Sequence, residues 1–176
     1  EIAEVVKKYP DVVFCVDTVS SMGGTSIPVD ELGIDFCITS TQKCLGCPPG
    51  MSVASVSKKA YERAKTVPNR GLYLDIVEIY DKVVKDDKYQ YPSTPSESHM
   101  FALQEELTYM LEVEGLENRY ARHLEMAEYI RAWARKYFAI FSDERYLSPT
   151  LTTIKNTRGI SVADLNKKLA EKGIEI

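Results

Sequence analysis

Two short apolar runs, each broken off by polar residues at the same end, constrain this chain more than any other feature. Val12-Val13-Phe14-Cys15-Val16 runs into Asp17 and then Thr18-Val19-Ser20-Ser21-Met22-Gly23-Gly24, and Ile34 to Thr39 runs into Ser40-Thr41-Gln42-Lys43. Unbroken apolar character over so short a length predicts strands covered on both faces, as parallel strands are. A third run, Met51 to Val56, follows Cys47-Pro48-Pro49-Gly50 and predicts another internal strand. Ile2, Val5 and Val6 recur at helical spacing ahead of Tyr9-Pro10, and Ser57 stands as an N-cap before Lys58 to Ala64. The expected class is α/β with a mostly parallel sheet.

Further along, Leu72-Tyr73-Leu74-Asp75 opens a short helix to about Lys82, and the polar, Pro-containing stretch Lys85 to Ser98 predicts a long loop. Met100 to Val113 and Leu116 to Phe138 repeat apolar residues every three or four positions, which predicts two helices with a turn at Gly115. Leu151 to Ile154, Ser161 to Lys172 and Gly173 to Ile176 read as strand, capped helix and strand. This change of pattern predicts two domain parts, residues 1–113 and 114–176. The chain opens at Glu1 without an initiating Met and closes on an incipient strand, so both ends read as cut.

With 44% hydrophobic and 27% charged residues the composition is that of a globular chain. Against 26 acidic residues the 22 basic ones leave a net charge of -4, so no basic surplus faces a nucleic acid. No apolar run approaches the roughly 18 residues of a membrane span. Four cysteines are too few for a disulfide scaffold and fit a reducing, cytoplasmic compartment.

Asp17 and Lys43 each stand just past the carboxyl end of a predicted strand, the edge at which open α/β sheets bind ligands. A solvated carboxylate and a solvated ammonium at strand ends are the plain alternative. Cys44 and Cys47 form C-x-x-C, but no second pair follows, so packed or half-exposed thiols are expected and no metal site. His99 reads as a helix-start residue, His123 as a helix-surface one and Trp133 as core. Glu105, Glu106, Glu112 and Glu114 read as solvated helix faces.

The segment from Ile34 through Gln42-Lys43 to Pro48-Pro49-Gly50 and Ala54 closely resembles the lysine segment of class V pyridoxal-phosphate aminotransferases. Val16 to Gly24 is similar to that family's pyridine-binding segment, and Tyr73-Leu74-Asp75 and Tyr91-Pro92-Ser93-Thr94 have counterparts in its alanine-glyoxylate and serine-pyruvate branch. The resemblance implies fold type I, the aspartate-aminotransferase-like fold, with residues 1–113 in the cofactor-binding large domain. It implies Lys43 as the Schiff-base lysine and proton carrier, and Asp17 as partner of the pyridinium nitrogen. Val19 would press one face of the ring, Ser40 and Gln42 would meet the phosphate, and Tyr91 and Thr94 would reach a phosphate across a homodimer interface. The implied reaction moves an amino group from alanine or serine to glyoxylate or pyruvate. A desulfurase or lyase of the same family and a non-catalytic, partner-binding chain are the rivals, and Gln42 stands where related desulfurases carry His. The family's N-terminal phosphate turn and substrate-carboxylate arginine have no counterpart here, so these residues alone are not expected to turn over substrate.

Overall fold

A computed structural model of the protein describes residues 1–85 and 90–175. The chain divides into two compact units, Glu1–Ala121 and Arg122–Ile176. In the first, helix α1 (Ile2–Val6) leads to β1 (Cys15–Asp17), a short α2 (Val29–Leu32), β2 (Phe36–Ser40) and β3 (Ser52–Val56). Helices α3 (Lys58–Lys65), α4 (Ile76–Tyr80) and α5 (Glu97–Thr108) follow, with a wide helical turn over Asp81–Lys85 and another over Tyr109–Glu114. The predicted loop from Lys85 includes 86–89, outside the described residues, and ends where α5 begins.

The strands form a three-stranded sheet in the order β1-β2-β3. β1 runs parallel to β2, with Cys15, Val16 and Asp17 opposite Phe36, Cys37 and Ile38. β3 returns antiparallel, from Phe36 opposite Val56 to Ser40 opposite Ser52. The sheet is therefore mixed, because the connection from Thr41 to Met51 is a tight turn that reverses the chain and carries no crossover helix.

Among the described residues only β2 has a neighbour on each side. Its Cys37 and Thr39 are buried, and Thr41 just beyond it is fully so. The runs expected to be covered on both faces fare differently: Cys15 is exposed in β1, and β3 is exposed along its whole length. Each of these strands bonds one neighbour only, so the apolar continuity that marks an internal strand is present in the sequence without a second partner to cover it. Cys37, Thr39 and Val53 line a cavity of about 310 Å³ with Leu103, Leu107 and Met110, which sets α5 against one face of the sheet. Phe36 and Cys15 line a second cavity with Ala60, Ala64 and Ile76 on the opposite side.

Local chemistry accounts for the helix starts. Ser57 Oγ accepts the Ala60 amide at 3.1 Å and caps α3, while the Asp75 carboxylate accepts the Val77 amide at 3.0 Å and caps α4. Asp75 is further held by Arg70 Nε at 2.9 Å.

Helix α6 (Leu116–Tyr137) begins after the predicted turn at Gly115 and carries into the second unit. There β4 (Ala139–Ile140) pairs antiparallel with β5 (Ile154–Lys155), and α7 (Val162–Ala170) is capped by Ser161 Oγ, which accepts the Asp164 amide at 3.2 Å. The expected strand at the end does not form over Gly173–Glu175, and 176 lies outside the described residues. Trp133, expected in the core, is 47% exposed and packs on its helical neighbours Tyr137 and Phe138, with ring centroids 5.7 and 5.5 Å away. No helix among the described residues is long and apolar enough to cross a membrane.

Candidate active site

Because β1 and β2 are parallel, their carboxyl ends open the loops 18–25 and 41–50 on the same edge of the sheet. The ladder continues one step past β1, where the Thr18 amide donates to Ile38 O at 2.9 Å. The buried Thr18 hydroxyl donates to the same carbonyl at 2.8 Å and lies 3.3 Å from Cys37 Sγ. Thr18 thus fixes the exit of β1 against β2 and leaves Asp17, just before it, exposed at the edge. Asp17 Oδ1 accepts the Val19 amide at 2.8 Å, which orients the carboxylate. No hydrogen bond among the described residues occupies Asp17 Oδ2.

The turn after β2 is built around Thr41. Its hydroxyl is 2.8 Å from Pro48 O and 3.2 Å from Met51 O, its amide donates to Met51 O at 3.1 Å, and its carbonyl accepts the Cys47 amide at 2.9 Å. Ser40 O accepts the Lys43 amide at 3.3 Å, and Lys43 O accepts the Gly46 amide at 2.9 Å. Gln42 and Lys43 ride exposed on this turn, and Ser40 is half-buried beneath it. Lys43 Nζ makes no hydrogen bond or ion pair among the described residues.

Asp17, Val19, Ser40, Gln42 and Lys43 are therefore brought to one edge. A carboxylate oxygen and an amine, both without a partner there, are the donor set that pyridoxal phosphate requires: an anion for the ring nitrogen and an amine for the aldehyde. Tyr91 and Thr94 are exposed on the segment ahead of α5, and neither bonds to the other five. That segment is nevertheless tied to the lysine turn. Ser96 Oγ lies 2.7 Å from His99 Nδ1, and His99 Nε2 lies 2.9 Å from Pro49 O. A carbonyl accepts only, so Nε2 carries a proton and donates it to Pro49 O.

The Cys44 and Cys47 thiols face separate carbonyls, Ser20 O at 3.7 Å and Ala102 O at 3.8 Å. Burial pushes both thiols up; the Arg119 charge offsets part of this, while Glu106 adds to it at Cys47. Raised thiol pKa values mark packed sulfurs and not reactive ones.

Residues 1–176 match the family model for aminotransferase class-V along their whole length. The chain belongs to the aminotransferase class-V family. An uncharacterized aminotransferase of Methanocaldococcus jannaschii is 42% identical over 174 residues, covering 98% of this chain and 44% of that protein. The alanine–glyoxylate aminotransferase of Callithrix jacchus is 34% identical over 169 residues, covering 92% of this chain and 40% of that one. The crystal structure of alanine–glyoxylate aminotransferase from Nostoc sp. matches with a TM-score of 0.88 at 29% identity, over 99% of this chain and 46% of that one. This class-V chain spans less than half the length of these relatives, and its fold is the fold type I expected from sequence.

Within the class-V frame, two features of the site escaped sequence reasoning. Thr18 and Thr41 read as ordinary loop polar residues, yet they are the buried hydroxyls that shape the two loops. Arg119, on the first turn of α6, is 5% exposed and donates to Gly23 O at 3.0 Å and Cys44 O at 2.7 Å. Glu106 and Glu114, expected to be solvated, flank it at 3.1 and 2.8 Å. The buried guanidinium draws both carboxylates inward, away from the helix faces that their spacing suggested.

Proposed function

We propose that the full-length protein is a pyridoxal-phosphate-dependent aminotransferase that moves an amino group from a small amino acid, alanine or serine, to a 2-oxo acid, glyoxylate or pyruvate. The observation that carries this reading is the pairing of Asp17 and Lys43 at one sheet edge, each with a polar atom left open, in a chain matched throughout by the aminotransferase class-V model. The bound cofactor supplies an aldehyde that condenses with amines and a ring that accepts electrons from the substrate's α-carbon.

In this reading Asp17 holds a proton on the ring nitrogen, its carboxylate steadied by the Val19 amide. Lys43 would hold the cofactor through its amine, and that amine would carry a proton to and from the substrate carbon. Val19 bears on one face of the ring, and Ser40 and Gln42 take phosphate oxygens. Tyr91 and Thr94 serve the partner's site in a homodimer. Residues 1–113 belong to the cofactor-binding domain, and 114–176 to an interdomain helix and part of a smaller domain. The compartment is cytoplasmic, in keeping with four free thiols.

Single-turnover half-reactions test the proposal. Full-length protein loaded with pyridoxal phosphate should convert alanine and serine to their 2-oxo acids and become the amino form of the cofactor. Conversion of cysteine to alanine, with sulfide released only when a thiol reductant is added and no amino transfer from alanine or serine, would make the protein a desulfurase; sulfide with pyruvate and ammonia, and no reductant, would make it a lyase.

A further inference from the structure

We infer that Arg119 is a positioning residue for the Asp17–Lys43 site: it clasps the lysine turn to the loop that starts at Asp17. The inference rests on the function proposed above. Each nitrogen of its guanidinium is engaged. Nε donates to Gly23 O, at the far end of the Asp17 loop, and Nη2 to Cys44 O, on the residue that follows Lys43. Nη1 donates to Glu114 Oε2 at 2.8 Å, and Glu106 Oε1 lies 3.1 Å from Nη2. The two carbonyls stand 96 and 75 residues away in sequence, and neither belongs to a strand or helix that could fix it independently.

The same junction is tight from the other side. Gly23 has φ 90°, and a Cβ there would sit 3.2 Å from Cys44 O, the atom that Arg119 holds. A side chain there would crowd that carbonyl and strain the backbone at this φ, which glycine tolerates. Cys44 Sγ adds a third contact between them, to Ser20 O at 3.7 Å.

Burial of an ion with two acids is a poor way to gain stability alone, since an apolar side chain would pin α6 without the desolvation cost. A planar fork offers something an apolar contact lacks, a fixed register of two carbonyls from two loops. That register sets where the lysine turn stands relative to the loop of Asp17. An ångström of misplacement between reacting groups costs up to about 100-fold in rate.

The test uses three variants of the full-length protein. Arg119→Lys keeps the positive charge beside Glu106 and Glu114 but lacks the fork; Arg119→Met removes both; Gly23→Ala keeps the arginine and crowds the two loops at the carbonyls it holds. Amide hydrogen exchange is followed in cofactor-free protein at Gly24, Thr25, Gly46 and Cys47, whose amides bond within the two loops. Affinity for pyridoxal phosphate, and the pH midpoint of its absorbance band, are measured in parallel.

Exchange should quicken at least about tenfold in both loops while β2 amides keep their rates, cofactor affinity should fall about 10- to 100-fold, and the pH midpoint should move, with Arg119→Lys intermediate. Unchanged loop exchange, or a rise spread evenly over the whole first unit, would overturn the inference. If Arg119→Met does not fold, the other two variants carry the decision. If the wild-type protein takes up no pyridoxal phosphate, the proposed function fails, and the exchange rates alone decide whether the clasp exists.

Discussion

Asp35 Oδ2 accepts the Phe14 amide at 2.9 Å and so locks the chain entering β1 to the chain entering β2. The same carboxylate accepts the Ser57 hydroxyl at 2.8 Å and lies 2.9 Å from Lys59 Nζ, which adds the start of α3. One nearly buried acid thus ties three chain segments at the end of the sheet opposite the site.

Burial would raise the Asp35 pKa, but the Phe14 amide, Lys59 and Ser57 together hold it below the usual carboxylate range. A depressed folded-state pKa adds stability above the unfolded value of about 4, and this is lost as pH falls through the folded value. Asp35→Asn should therefore destabilise the protein at neutral pH, and the gap to wild type should close below about pH 4. Urea unfolding across that range checks it; a gap that persists unchanged in acid would show that the charge is not responsible.

Much of this architecture is legible in residue patterns. The strand runs ending at Asp17 and Ser40, the cap at Ser57 and the turn at Gly115 are local signals, and local signals survive into the fold. Legibility stops where a residue's role is set by partners far along the chain. Nothing near Arg119 in sequence announces carbonyls at positions 23 and 44, and nothing near Met51 tells that β3 returns antiparallel and exposed. Lys43 and Asp17 are legible because each follows a strand end within a segment that resembles the family's, whereas Thr18 and Thr41, one residue past Asp17 and Ser40, carry a hydroxyl whose burial only the paired strands create.

Thr41 gives the next expectation. With its side chain fully buried and its hydroxyl directed at Pro48 O and Met51 O, Thr41→Val removes that donor at almost constant volume. A loss of about 1–3 kcal/mol is expected, read from chemical denaturation. A change near zero would show that the turn does not depend on this bond.

Gly50 is packed tightly against His99. It has φ 135°, and a Cβ would fall 2.7 Å from His99 Nε2. Gly50→Ala should cost about 1–3 kcal/mol through strain and displacement of the histidine from Pro49 O. Adding His99→Ala should relieve the clash but not the backbone strain, so the double variant should be more stable than the sum of the single losses predicts. Strict additivity in a double-mutant cycle would contradict the contact.

Lys43 is the residue proposed to carry the cofactor. Full-length protein incubated with pyridoxal phosphate should show a band at about 410–430 nm that borohydride abolishes. Peptide mass mapping of the reduced protein should find the phosphopyridoxyl group on Lys43 and lose it in Lys43→Ala. A label on another lysine, or a band that Lys43→Ala leaves intact, would contradict the assignment.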